Sequence, residues 1–502
     1  MQPTRLAHAA RSLLAALTLA VGAPALGADP LTQAIWQGDM DRSLALVRDR
    51  IAKSDADFEA HSLYIDLLSS MGFARAAAAE YRQRIAPEAA TADAWALVGR
   101  AEPNPQAALA AYALALSIQP DHAPALTGKA GVQRALGKEV SAIETYTAAI
   151  AADPSMGEAW TGLAQAWLSR GATDSALQTA RKARTNAPDD PSVWLLLATL
   201  APGEARTVLT EATGIHPEIP QLWSALARAH FEEQEWSHAA KAYDKALSYD
   251  PPDAPALRVE RALVTEIRTG ALDMTGAAVI LDIRGIAQQD VNLAMTALAT
   301  LAEEQPKSGQ VRLVYGNMLR AIGNYGAAET QLKAARDLMP DDADAWSALG
   351  GFYLDRRQPA EARPLLEQAA RTRPEDPVLA VAAAMAAAEA GDVAAAELSL
   401  RAAIARFPGS VGPVLGLARL LITSNRGTEA LDVLTDAIRK QAQVELALAL
   451  VSTGKELGQA EDALVRLEKL AEETGDPRLN AAAKGLRVAA SQPTEGGGSD
   501  GP

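Results

Sequence analysis

The chain contains 502 residues, of which 49% are hydrophobic and only 4% aromatic, so it is long enough to bury a substantial core. Its formal net charge is −15 at pH 7, and because phosphate backbones are bound mainly through Lys and Arg, nucleic acid is not expected as a partner. The sequence contains no cysteine, which excludes a disulfide framework, thiolate chemistry and attachment through a lipidated cysteine.

The N-terminal segment has the pattern of an export signal. Two arginines precede a short apolar run from Leu13 to Val21, and small residues follow that run. This order predicts a signal peptide over residues 1–28, cleaved after Gly27 or Ala28. The alternative is a membrane anchor, but the apolar run is well short of the roughly 20 residues that span a bilayer. We therefore expect an exported protein, and the Ala-rich helical repeat described next suggests the periplasm of a Gram-negative bacterium.

The apolar residues after this segment are mainly Ala and Leu, both strong helix formers, and prolines recur among them at a regular spacing. Six of the eight intervals between these prolines are 34 residues, and the other two are 29 and 55 residues. The prolines are Pro120, Pro154, Pro188, Pro217, Pro251, Pro306, Pro340, Pro374 and Pro408. Because proline disfavours the helical conformation of the residue before it, each is expected to follow the end of a helix.

Between the prolines, the same residue types recur at the same positions. The segment ending at Pro188 has Trp160, Leu163, Ala164 and Gly171 at the pattern's Trp, Leu, small and Gly positions. The chain thus resembles the tetratricopeptide-repeat family over nearly all of its mature length. The resemblance implies an all-α, right-handed superhelical solenoid of about 12–13 helix pairs, in which each pair buries its apolar faces against its neighbours.

The repeat pattern divides the chain into segments. An N-terminal repeat array is expected over 29–268, and a C-terminal array with a capping helix over 290–490. The segment 269–289 lies in the 55-residue proline interval and fits the pattern badly, so it is interpreted as a drifted repeat or a bend. The last segment, 491–502, is rich in Gly, Ser and Pro and is expected to be disordered.

The sequence shows no recognisable catalytic or metal-binding constellation. None of the six histidines has the HxxxH or HExxH spacing of a helical zinc site. His230 and His238 flank several glutamates, including Glu235, but His230 also fits the repeat's aromatic position, so no metal is expected. The segment Gly131–Lys138 resembles a phosphate loop, yet Glu139 stands where Ser or Thr would hold magnesium. We therefore expect no catalytic residue, no cofactor and no enzyme activity.

The resemblance also implies a binding surface. In this family, the first helices line a concave groove, and residues at the ninth and twelfth repeat positions contact a protein or peptide partner. The corresponding residues, called the groove positions below, are Arg100, Arg134, Gln165, Arg228, Phe231, Asn317, Arg320 and Arg419. Basic and amide groups at these positions could hold acidic groups of a ligand, or they could be ordinary solvated residues. Val381, Met385, Leu415 and Ile422 would instead suit a hydrophobic or helical ligand, or belong to the core.

Three functions fit these patterns. The first is a non-catalytic scaffold that assists assembly of an envelope complex, and it is the one we favour. The second is an accessory subunit that holds substrate for a periplasmic enzyme or export system. The third is an enzyme of unrecognised chemistry that uses the segment 269–289.

Overall fold

A computed structural model describes residues 30–84 and 90–491. The predicted signal peptide, and all but the first residue of the predicted tail, lie outside these residues. Within them the chain forms 28 α-helices and no strand, which confirms the predicted all-α architecture. The chain divides into two compact units at Val264 and Thr265, and each is described by itself.

The first unit contains α1 to α14 and most of α15. Their bounds are α1 Pro30–Trp36, α2 Met40–Lys53, α3 Phe58–Ser70, α4 Ala74–Arg84, α5 Ala92–Ala101, α6 Pro105–Ile118, α7 Ala123–Ala135, α8 Glu139–Ala152, α9 Gly157–Ser169, α10 Thr173–Asn186, α11 Pro191–Leu200, α12 Ala205–Ile215, α13 Pro220–Glu232, α14 Trp236–Leu247 and α15 Ala254–Thr269. A short 3₁₀ turn, Pro202–Glu204, joins α11 to α12.

The second unit begins within α15 and contains the remaining helices. Their bounds are α16 Met274–Gln289, α17 Val291–Glu304, α18 Gly309–Ala321, α19 Tyr325–Leu338, α20 Ala343–Asp355, α21 Pro359–Thr372, α22 Pro377–Glu389, α23 Val393–Arg406, α24 Val411–Thr423, α25 Gly427–Lys440, α26 Val444–Glu456, α27 Ala460–Thr474 and α28 Pro477–Ser491. Without α15 and the C-terminal α28, the 28 described helices form 13 consecutive pairs, in agreement with the predicted number of helix pairs.

Each pair turns sharply between its two helices. Gly137, Gly171, Gly323 and Gly391 occupy these turns with φ between +71° and +94°, because glycine adopts the left-handed conformation at little cost. In other pairs the same turn is made by Gln234, Arg357 and Asn425, with φ of 61°, 56° and 59°. The turn geometry is therefore kept even where the glycine is absent.

The recurring Trp and Pro residues are joined by a hydrogen bond. The indole Nε1–H of Trp160 donates to the carbonyl of Pro154 at 2.8 Å, and Trp194 donates to Pro188 in the same way. Trp223 and Trp346 repeat the bond to the carbonyl six residues before them, at 2.7 Å each. This Trp–Pro bond gives the buried or half-buried indole a partner and fixes the chain where one pair ends and the next begins.

Small residues permit close helix packing. Tyr146 of α8 lies against Gly162 of α9, where an added Cβ would come within 2.3 Å of the ring. A side chain cannot be accommodated at such a distance without displacing the ring or the helices. The tyrosine and glycine positions of neighbouring pairs are thus matched to each other.

The segment 269–289, interpreted from the sequence as a drifted repeat or a bend, contains a regular helix, α16. Asp273 caps this helix by accepting from the backbone N–H of Gly276 at 2.7 Å, and Ala277, Ile280 and Ile283 are buried. Helix α16 packs on α17 and on α18, as the first helix of a pair does. The additional residues of the 55-residue interval therefore correspond to α15. From the sequence alone, α15 could not be distinguished from the first helix of a repeat.

The first unit contains a contact between distant parts of the chain. Trp36, at the end of α1, is only 6% exposed and belongs to a buried cluster whose other members lie between Ala164 and Val264. Gly38, two residues later, lies directly against Pro252. The first helix pair therefore packs on the end of the seventh, in addition to its sequence neighbour.

Candidate partner-binding surface

Arg100 is bound to carboxylates of its own chain. Its guanidinium donates to Asp66 through two hydrogen bonds of 2.7 and 2.8 Å, and a third contact of 3.3 Å reaches Glu158. Only 18% of the Arg100 side chain is exposed. Burial raises the pKa of Asp66 although Arg100 opposes the shift, so this half-buried group depends on its arginine. Arg100 thus connects three helix pairs, because Asp66 and Glu158 lie in the second and fifth pairs.

Arg228 and Arg320 have the same kind of partner. Arg228 donates to both oxygens of Glu260 at 2.9 and 3.0 Å, and Glu260 also accepts from the hydroxyl of Tyr243 at 2.7 Å. Arg320 donates to Asp355 at 2.5 Å. These carboxylates lie 32 and 35 residues after their arginines, or about one repeat. Both arginines therefore have a role within the chain whether or not a partner is bound.

Arg134 and Phe231 are also engaged by neighbouring side chains. Arg134 is half-buried and lies beside Tyr146, where burial raises the pKa of the tyrosine and Arg134 opposes that shift. Phe231 packs edge-to-face on Trp236, with ring centroids 5.4 Å apart, and contacts the buried cluster of the first unit. Phe231 is thus a packing residue that retains part of its exposed surface.

Gln165, Asn317 and Arg419 differ from the other groove positions. None of the three makes a side-chain hydrogen bond or ion pair within the described part of the chain. Asn317 and Arg419 are exposed and Gln165 is half-buried. Their polar groups are therefore available to a ligand without breaking a bond inside the protein.

Arg419 borders a pocket in the second unit. The pocket has a volume of about 300 Å³ and lies between α24, α25 and α26. Its lining residues are Leu415, Ala418, Arg419, Ile422, Thr423, Leu434, Ala449, Thr453 and Glu456. Two of them, Leu415 and Ile422, are among the apolar positions that the sequence indicated for a hydrophobic ligand. Both pack on the core of this unit while keeping part of their surface exposed.

The pocket combines apolar walls with two charged groups. Arg419 and Glu456 are both exposed, and neither forms an ion pair within the described residues. Sequence reasoning identified Arg419 but missed Glu456, Ala449 and Thr453, because α26 belongs to a weak copy of the repeat.

The acidic partners of Arg100, Arg228 and Arg320 could have been found from the sequence, because each partner lies about one repeat length from its arginine.

A cluster of potential metal ligands lies elsewhere, in the turn between α13 and α14. His230, Glu235 and His238 each offer a ligand atom, and these atoms lie within 4.8 Å of one another. Within 30–84 and 90–491, this is the one group of three or more His, Asp or Glu side chains arranged in this way. Over the same residues, no helix combines the length and the apolar character needed to cross a bilayer.

Comparison with known proteins identifies the repeats. Models of the tetratricopeptide repeat match residues 133–200, 220–253, 316–377 and 387–453. No curated protein matches the chain by sequence.

Several solved structures are similar at low identity. Yeast Tom70 is 15% identical with a TM-score of 0.30, over 85% of this chain and 98% of its own. PilW, a type IV pilus biogenesis factor, is 20% identical with a TM-score of 0.32, over 41% of this chain and 94% of its own. The Cut9–Hcn1 structure is 13% identical with a TM-score of 0.32, over 90% of this chain and 94% of that one.

Proposed function

Because the chain carries tetratricopeptide repeats, we propose that it is a non-catalytic scaffold that binds protein or peptide partners in the bacterial cell envelope. It would assist the assembly of an envelope complex by holding a partner segment in the pocket of the second unit. The bound segment would place an apolar side chain between α24 and α26 and an acidic group on Arg419.

The observation that carries this proposal is the unsatisfied charge beside an apolar pocket. Arg419 has no ion-pair partner within the described residues, whereas Arg100, Arg228 and Arg320 do. A guanidinium that is already free can bind a ligand carboxylate without first losing an internal bond. The apolar walls would supply affinity by removing a hydrophobic side chain from water.

The envelope location rests on the sequence of residues 1–28 alone. If this segment is a signal peptide, the mature chain begins at Ala28 or Asp29, and the protein is recovered in the periplasmic fraction. Mass spectrometry of the N-terminus after cell fractionation tests both points. An intact N-terminus in the cytosolic fraction would contradict the envelope role but would leave the binding proposal standing.

The binding proposal is tested by crosslinking in envelope fractions. A photo-crosslinking amino acid is placed at Thr423, an exposed residue of the pocket, and capture is compared between the wild type and two variants. Arg419→Glu reverses the free charge, and Ala449→Trp fills the pocket. Arg170→Glu is the matched control, because Arg170 is an exposed arginine of the first unit without an ion pair within the described residues.

We expect a discrete partner to be captured by the wild type and by Arg170→Glu, and to be lost from both pocket variants. Circular dichroism should show unchanged helix content in every variant. Equal capture by all variants would exclude the pocket as the binding site. Absence of any captured protein, with the crosslinker at Thr423 and at Asn317, would contradict the scaffold function itself.

The structure also bears on the enzyme hypothesis based on the segment 269–289. That hypothesis required an irregular segment that could form a site, and α16 instead packs as an ordinary helix with a buried apolar face. The premise of the hypothesis is therefore not met.

A further inference from the structure

The turn between α13 and α14 brings three metal-ligand side chains together. His230 lies in the last turn of α13, Glu235 directly precedes α14, and His238 lies in the first turn of α14. Nδ1–H of His230 donates to Glu235 Oε2 at 2.6 Å, and Nδ1 of His238 is 3.7 Å from the same oxygen. The two imidazole rings are stacked, with centroids 5.2 Å apart and an interplanar angle of 26°. One carboxylate oxygen therefore lies between two ring nitrogens.

A turn with positive φ joins the two helices in ten of the 13 described pairs, and only one of these ten turns carries these residue types. In this pair the turn is made by Gln234 with φ of 61°, the conformation that glycine adopts in most of the others. The positions of His230, Glu235 and His238 correspond to Trp167, Ala172 and Ser175 two pairs earlier. They correspond to Tyr353, Gln358 and Glu361 in the pair of α20 and α21. The turn thus places these positions close together by its own geometry.

The three groups form a set that suits zinc. Neutral imidazole and carboxylate are both zinc ligands, and two histidines with one glutamate, plus water, form a four-coordinate site of known type. With metal–ligand bonds of about 2.0–2.2 Å, tetrahedral ligand atoms are separated by roughly 3.4 Å. The observed separations of 2.6 and 3.7 Å from the Glu235 oxygen lie on either side of that value, and all three ligand atoms lie within 4.8 Å of one another. The metal would replace the proton that His230 now shares with Glu235.

Burial and charge around the cluster favour a bound cation. The His230 side chain is 12% exposed, which fixes one ligand, whereas His238 is 66% exposed and leaves the outer side open to water. Arg206, the nearby cation, is already bound to Glu233 at 2.6 Å. Glu232, in the same turn, is exposed and adds negative charge.

We propose that His230, Glu235 and His238 bind a Zn²⁺ ion, with water at the fourth position, and that the ion ties α13 to α14 across their turn. The ligands come from two helices, so the ion is bound by the folded pair and not by the unfolded chain. Bound zinc therefore raises the stability of the seventh helix pair by mass action. The site is independent of the partner-binding proposal, because it lies in the other unit.

The test is metal titration of the untagged, full mature chain by calorimetry, since a polyhistidine tag would itself bind zinc. We expect one Zn²⁺ per chain and a rise in melting temperature on adding Zn²⁺ but not Mg²⁺, because Mg²⁺ prefers oxygen ligands. Glu235→Gln and His238→Ala should each weaken binding by at least about tenfold, since removal of one ligand exceeds the effect of outer-shell changes. Glu232→Gln is the matched control and should bind as the wild type does.

A second measurement distinguishes a preformed metal site from non-specific binding of metal ions at the surface. Co²⁺ in place of Zn²⁺ should give the intense visible absorption of a tetrahedral complex in the wild type and in Glu232→Gln, and lose it in His238→Ala. His238 is exposed, so this variant is expected to fold, which circular dichroism verifies. No Zn²⁺ binding by the folded wild type, or equal binding by wild type and His238→Ala, would overturn the proposal.

Discussion

Because α1 contacts the end of the seventh pair, a mutation in α1 should have an effect that is not expected in an ordinary solenoid. In a linear array of repeats, each pair interacts only with its sequence neighbours, so a change at one end affects that end. Trp36, however, is buried among residues from Ala164 onward, and Gly38 contacts Pro252. Trp36→Ala should therefore destabilise the chain at two places that are far apart in sequence.

The expected magnitude follows from the burial of the indole. Truncation of a buried Trp to Ala costs about 3–5 kcal/mol, and we expect the lower value because α1 is a short terminal helix. A loss of about 3 kcal/mol corresponds to a roughly hundredfold increase in the local opening equilibrium. Hydrogen exchange measured by mass spectrometry should show this increase in α1 and also around Pro252, which lies against Gly38.

Trp95→Ala is the matched control, because Trp95 is half-buried and packs on clusters formed by the first to fourth pairs. Its effect should not extend to the region around Pro252. Trp36→Phe should be tolerated better than Trp36→Ala, since the indole Nε1 of Trp36 has no hydrogen-bond partner within the described residues. If exchange in Trp36→Ala changes only within residues 30–70, the reasoning from the long-range contact is wrong.

Two further predictions concern packing and pH. Gly162→Ala places a methyl group 2.3 Å from the Tyr146 ring and should lower the free energy of unfolding by about 1–3 kcal/mol. Gly214→Ala, in a helix with no atom within 4 Å of the new group, should instead be neutral or stabilising in the same denaturation assay. The hydrogen bond from Arg426, the largest cause, lowers the pKa of Glu397 to about 2. The stabilisation that this bond provides is thus present above the ordinary pKa of 4.5 and is lost as the pH falls toward 2. Urea denaturation of wild type and Glu397→Gln should differ by less than about 1 kcal/mol at pH 7 and converge near pH 2; a difference that grows on acidification would refute this.

The repeat was readable from the sequence because its determinants are local. Proline ends a helix, glycine adopts the left-handed turn, and Trp160 and its equivalents recur at a fixed distance, so the helices were expected where they are found. The segment 269–289 fits the repeat pattern badly because α16 is held by apolar burial at Ala277, Ile280 and Ile283, without the signature residues. Helical packing of this kind needs only a suitable apolar face.

The groove positions were harder to interpret because their partners lie one repeat away. The sequence indicated Arg100, Arg228 and Arg320 as exposed basic groups but not that Asp66, Glu260 and Asp355 pair with them. The cluster of His230, Glu235 and His238 was discounted because zinc motifs were sought on one helix face. Its members come from two helices, and only the turn between them brings the three together.

The Trp–Pro bond has a consequence for how such a chain can change in length. Donor and acceptor are separated by six residues, so the bond is complete within a single junction. A duplication or deletion whose endpoints lie inside two equivalent second helices would leave every junction intact. Gene segments of 34 codons could therefore be gained or lost without creating an unpaired indole at a junction, so the Trp–Pro bond itself does not limit the number of repeats.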